Sequence, residues 1–130
     1  MEDQWRLFRR DDSAGPVWIM LCTGVSLPDD GVSAGRTLCT TVDVELTNPT
    51  PSGIGTSDEV DQLEETVTAL EQCLHRDYDA LYVARARGHG KVELVIYSAP
   101  ESDAGVSDRI ASAFEGREIA LSQLSLEELA

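Results

Sequence analysis

Alternation of apolar and polar positions is clearest between Arg36 and Leu46. Leu38, Thr40, Val42, Val44 and Leu46 fall on one side there, and Cys39, Thr41, Asp43 and Glu45 on the other. A period of two over this length predicts a half-buried strand. From Asp58 to about His75 the period changes. Val60, Leu63, Val67, Leu70 and Leu74 recur at helical spacing, with Glu64, Glu65 and Gln72 expected in water. Thr56 and Glu59 stand at capping-box spacing at the start of this helix, and Asn48-Pro49-Thr50-Pro51-Ser52-Gly53 breaks the chain before it.

Leu81–Arg87 and Lys91–Ser98 flank Gly88-His89-Gly90, a hairpin signal. A three-residue loop pairs Arg87 with Lys91. It sets Ala86, Ala84 and Tyr82 against Val92, Leu94 and Ile96 on one face, leaves Arg85 opposite Glu93 on the other, and makes Gly90 the left-handed residue. Pro100 closes the hairpin. Ser102 or Asp103 caps a second helix with Val106, Ile110, Ala113 and Phe114 facing inward and Gly116 as its stop. Glu118–Ser122 reads as a last short strand, and 125–130 as a frayed terminal turn. Upstream, Trp5–Arg9 and Val17–Thr23 read as strands joined by the turn-rich Asp11–Pro16. Val17–Cys22 is apolar at every position, the pattern of a strand covered on both faces.

The resulting order, strand-helix-strand-strand-helix-strand from Arg36, predicts an α+β protein. It is that of a ferredoxin-like βαββαβ unit over 36–124, an antiparallel sheet with both helices on one face. The expected organisation is a single domain, 1–130, with 1–35 as an N-terminal β-hairpin extension. A second arrangement fits the same pattern: Val17–Thr23 takes the first-strand role and Arg36–Leu46 pairs beside it in a larger sheet.

Composition narrows the partner class. The chain carries 24 acidic and 10 basic residues, a formal charge of -14, which repels phosphate backbones and anionic lipid surfaces. Nucleic acid and membrane are therefore not expected ligands, whereas a basic protein is compatible with the field. The start, Met1-Glu2-Asp3-Gln4, has no basic signal-peptide region, and the longest strongly apolar run, Val17–Cys22, is too short to span a bilayer. A cytoplasmic location is expected. Cys22, Cys39 and Cys73 are odd in number and fall inside predicted elements, which suits reduced thiols.

Motifs that carry chemistry lack their context. Gly31-Val32-Ser33-Ala34-Gly35 spells the nucleophile elbow, but it precedes a strand where that elbow needs a strand before it and a helix after it. Gly53-Ile54-Gly55 lies between strand and helix without the third glycine of a dinucleotide turn, and Asp58, Glu59 and Asp61 would repel a pyrophosphate. Cys73, His75, Asp77 and Asp79 are close in sequence, yet positions two apart on a helix project oppositely, so no metal site follows. Cys22 and Cys39, if they face one another across strands, are two thiols without a histidine and read as packing. His75 and His89 both fall at element ends, with no nucleophile, base and orienting group at usable spacing. No cofactor, metal or catalytic residue is assigned.

The remaining candidate is the sheet face away from the helices. It is expected to gather Asp43, Glu45, Arg85, Arg87, Lys91 and Glu93, with Leu81, Val83, Val95 and Tyr97 beside them. Ion pairs in water contribute little, but apolar residues among them favour a docking surface. The candidate interaction residues are Asp43, Glu45, Arg85, Arg87, Glu93 and Tyr97. Trp5-Arg6-Leu7-Phe8, the apolar strand Val17–Leu21, the alternating strand, the acidic helix and the Gly-turn hairpin together resemble the uncharacterised bacterial family known as domain of unknown function 695. That resemblance implies an architecture like the acidic RraB-type ribonuclease E regulators, which act by binding an enzyme, and it brings no catalytic residues. The expected function is a non-catalytic protein-binding or regulatory module, with self-association a further possibility. The alternatives are a small-molecule sensor or minor enzyme with its site at a dimer interface, and an immunity-type inhibitor of a basic protein.

Overall fold

The computed structural model describes residues 5–12, 15–22, 34–47 and 55–126. Its elements are β1 (Trp5–Asp12), β2 (Gly15–Cys22), β3 (Leu38–Glu45), α1 (Ser57–Tyr78), β4 (Leu81–Gly88), β5 (Lys91–Ser98), α2 (Asp103–Ala113) and β6 (Ile119–Ser125). The strands form one antiparallel sheet in the order β1-β2-β4-β5-β3-β6. Strands β4-β5-β3-β6 with the two helices are the expected ferredoxin-like unit, and β2 then β1 extend it from the edge of β4. This decides between the two arrangements: Trp18–Leu21 pair with Arg87–Ala84 of β4, not with β3.

Alternation on β3 builds the core. Val42 and Val44 are fully buried, flanked by Leu94 and Val92 on β5 and by Leu121 and Ile119 on β6. Above them lie the α1 stripe Leu63, Val67, Leu70 and Leu74 and, from α2, Val106 and Ile110 with Phe114 beyond its end. Gly105 on α2 lies so close to the Tyr78 ring that a β-carbon there would overlap it. That absence of a side chain brings the two helices together.

Both ends of α1 are tied to the sheet. Thr56 caps the start, its Oγ1 accepting from the Glu59 N–H at 3.3 Å. The Glu59 carboxylate is buried and accepts from the Thr47 N–H at 2.7 Å and from Arg117 Nη1 at 2.6 Å. One side chain thus joins the end of β3, the start of α1 and the approach to β6. The helix runs three residues beyond its predicted end and stops at Asp79, whose φ of 53° is left-handed. Arg36 clasps that stop, with Nη2 3.0 Å from the Asp79 carboxylate and Nε donating to the Asp79 carbonyl at 2.7 Å.

Three sequence expectations are corrected. The hairpin loop has two residues, not three. His89 and Gly90 both adopt positive φ (55° and 78°), the type I′ geometry whose twist matches paired strands, and Gly88 pairs with Lys91. Arg87 therefore faces Val92, Ala86 faces Glu93 and Arg85 faces Leu94, until a bulge at Val83 restores the expected Tyr82–Ile96 pair. Second, β6 runs to Ser125, and the buried Leu126 donates its N–H to the Thr37 carbonyl at 2.7 Å where a frayed turn was expected. Third, β2 is not covered on both faces: Val17 is buried but Leu21 is 40% exposed, because β2 lies beyond the reach of the helices. Cys22 and Cys39 do not oppose one another, since β4 and β5 separate their strands. Met1–Gln4, the Asn48–Gly53 break, Gly31-Val32-Ser33, Gly53-Ile54 and 127–130 lie outside the described residues.

Replacing Glu59 by Ala leaves the half-buried Arg117 and the Thr47 N–H without their shared buried acceptor. It is expected to lower unfolding free energy by about 3 kcal/mol in urea melts, in the range for breaking one side of a buried pair. Glu65→Ala on the exposed side of α1 should change it by less than about 0.5 kcal/mol.

Candidate functional site

The corrected register divides the predicted interaction residues between two surfaces. Asp43, Glu45, Glu93 and Tyr97 lie on the sheet face away from the helices. Arg85 and Arg87 share the helix side with Leu94 and Val92. Val83, expected in water on the open face, is buried at the bulge.

Cross-strand rows define the open face. One row runs Phe8, Ile19, Ala86, Glu93, Asp43, Ala120, and the next runs Arg6, Leu21, Ala84, Val95, Thr41, Ser122. Because β4 presents the small residues Ala84, Ala86 and Gly88 to this side between bulge and turn, a trough of about 320 Å³ follows that part of the strand, walled by Val17, Ile19 and Leu21 and by Glu93 and Val95, with Arg10, His89 and Lys91 also lining it. A β-carbon on Gly88 would lie 2.9 Å from the Pro16 carbonyl oxygen, so glycine also sets how closely β2 approaches. Phe8, Leu21 and Leu124 on this face are 40% or more exposed.

At the centre of the face two carboxylates meet. Asp43 is directly opposite Glu93, and its Oδ1 is buried without a hydrogen-bond partner, while Oδ2 lies 3.5 Å from Lys91 Nζ. Burial, reinforced by the Asp43 charge, pushes the Glu93 carboxyl above its usual range. Along the face, Tyr97 stands opposite Cys39. Burial raises both hydroxyl and thiol, so neither is an activated nucleophile.

On the helix side, α1 stops short of the added strands and leaves a cleft of about 320 Å³ between its Val60, Leu63 and Val67 and the strand residues Leu7, Trp18 and Met20. Arg85 crosses it to Glu64, Nη1 to Oε2 at 2.8 Å, and donates to Met20 Sδ at 2.7 Å. Glu64, expected in water, thus faces this cleft. Arg87 also lines it. Sequence reasoning missed the cleft because the wrong parity put both arginines on the open face. The available signal was the uniformly apolar Val17–Leu21, which has to line a hollow on each side of the sheet when no helix covers it.

The Cys73–Asp79 cluster holds no metal geometry. Cys73 Sγ accepts from Arg109 Nη1 at 2.6 Å and lies 3.6 Å from Asp77 Oδ2, while His75 turns to the Ala80 carbonyl at 3.4 Å. Among the described residues no group of three His, Cys, Asp or Glu side chains could hold a metal ion. No helix there is long and apolar enough to cross a membrane.

Residues 3–125 match the family described as "Family of unknown function (DUF695)". The chain belongs to DUF695. The matched span takes in β1 to β6 and α1 and α2, so the DUF695 unit here includes the β1–β2 extension as well as the ferredoxin-like part. No curated protein and no solved structure matches the chain. The two hollows of this DUF695 chain therefore stand on geometry alone.

Glu93 gives a pH test of the acid pair. Its folded-state value is raised, so its ionisation opposes folding: the effect is absent below the ordinary glutamate range and complete once pH passes the folded value. Glu93→Gln should be more stable than the parent at neutral pH in thermal melts, with the difference shrinking to nothing as pH falls through the ordinary range.

Proposed function

We propose that this DUF695 chain is a non-catalytic docking module that binds a basic protein partner through its open sheet face. The observation that carries the reading is the close acid pair Asp43–Glu93, in which Glu93 is held above its usual range, set in a surface that exposes Phe8, Leu21 and Leu124. An incoming lysine or arginine beside the acid pair offsets its negative charge and removes the repulsion that raises Glu93, while Phe8, Leu21 and Leu124 give up their contact with water. The trough along β4 is a track for a side-chain ridge of the partner.

Charge selects the partner over a second copy. Two chains of formal charge -14 repel, and stacking two open faces would bring four central carboxylates together.

The test uses tagged full chain as bait in native lysate, with Leu21→Asp/Val95→Asp on the open face and Leu121→Asp on the helix side as control. The expected result is a basic protein captured by the parent and by the control but not by the open-face variant. Its affinity, remeasured with purified components, should fall as salt rises. Equal capture of that protein by the open-face variant, with circular dichroism showing all chains folded, removes this surface as the docking site.

A further inference from the structure

Four arginines of this chain are half-buried: Arg36, Arg85, Arg87 and Arg117. Three have carboxylate partners: Arg36 with Asp79 at 3.0 Å, Arg85 with Glu64 at 2.8 Å and Arg117 with Glu59 at 2.6 Å. Among the described residues Arg87 has no carboxylate within ion-pair distance, and its Nε is fully buried without a hydrogen-bond partner. Scarcity does not explain this in a chain with 24 acidic and 10 basic residues. The nearest acidic influence is Glu64, which Arg85 already holds. Burial pulls the Arg87 guanidinium below the ordinary arginine range. A guanidinium without a counter-ion in such a place raises the energy of the unliganded fold, and an anion beside it in the cleft offsets that charge.

Arg87 lines the cleft between α1 and the added strands, whose other walls are apolar apart from the Arg85–Glu64 pair. Trp18 lies directly across from it on β2, and Leu7, 59% exposed, stands on β1 beyond Met20. We infer that this cleft is a binding site for a small anionic amphiphile, a carboxylate whose head pairs with Arg87 and whose apolar body lies between Val60, Leu63 and Val67 of α1 and Leu7, Trp18 and Met20 of the sheet. Two guanidinium groups against one carboxylate leave one positive charge to be matched, which selects a single negative head. The cleft volume of about 320 Å³ is at the lower end of small-molecule sites. The site is on the side of the sheet opposite the proposed docking face, so either reading can fail without the other.

Decanoate below its micellar range is the probe, decanol and decyltrimethylammonium are the controls, and Trp18 is the reporter. The parent chain should bind decanoate with a change in tryptophan fluorescence that Trp18→Phe abolishes, and its melting temperature should rise with the ligand. Arg87→Met should melt higher than the parent without ligand and bind decanoate roughly 10- to 100-fold more weakly, the range for one charge-assisted hydrogen bond in an enclosed site. Arg87→Lys should retain a preference for decanoate over decanol. The proposal is overturned if the parent shows neither fluorescence change nor thermal shift with decanoate, or if decanol or the cationic amphiphile binds as tightly as decanoate. It is equally overturned if Arg87→Met binds decanoate as the parent does. Because these readouts use only the purified chain and small probes, they are independent of any protein captured on the open face.

Discussion

The register of β4 against β5 determines what both sides of the sheet present. Two left-handed residues, His89 and Gly90, close the hairpin, and one extra residue at Val83 shifts the pairing farther along. Between the turn and the bulge, parity sends Arg85 and Arg87 towards the helices and Ala84, Ala86 and Gly88 away from them. A one-residue slip would exchange these sets. Long cationic side chains would then fill the trough, and small residues would floor the cleft beside α1. The bulge lets Tyr82 return to the core opposite Ile96 without moving the arginines.

Most of the architecture was legible because it rests on strong periods. Val42, Val44 and their neighbours alternate without interruption, and the α1 stripe from Leu63 to Leu74 keeps helical spacing, so the ferredoxin-like order and the buried stripes are legible in the sequence alone. The hairpin register could not be read from alternation in the same way. Leu81–Gly88 alternates small or apolar residues with arginines, so either parity gives an acceptable pattern, and the bulge makes both true in different halves of the strand. The three-residue solution was attractive because it paired Arg85 with Glu93. The fold instead pairs Arg85 with Glu64 on α1, a partner no strand pattern could indicate. The candidate surface was correspondingly half legible: Asp43, Glu45, Glu93 and Tyr97 share a face as expected, and the two arginines do not.

The β1–β2 extension gives the ferredoxin-like unit surfaces it would otherwise lack. It covers the edge of β4 and moves the sheet's edge on that side out to β1. The helices do not widen to match it. Each side of β2 is therefore left with incomplete cover: the cleft under Trp18 and Met20 on one side, and the exposed Phe8, Ile19 and Leu21 surface on the other. A uniformly apolar strand is the sequence consequence, and it arises here from two partial hollows rather than from two packed layers.

Each side of the sheet carries a polar group that the fold does not satisfy, and the sheet prevents these groups from satisfying each other. Asp43 Oδ1 and Arg87 Nε are both buried without hydrogen-bond partners, one an acceptor and the other a donor of opposite charge. Alternation points Asp43 to the open face and Arg87 to the helix side, with β5 between their strands. Lys91 reaches only the outer oxygen of Asp43, and Glu64 is committed to Arg85. No rotamer change carries a side chain through a hydrogen-bonded sheet, so relief has to come separately to each face and from outside the chain. An acceptor with its carboxylate neighbour calls for a cation, and a donor among apolar walls calls for an anion with an apolar body. The opposite signs of the two sites follow from the same strand parity that fixes the core.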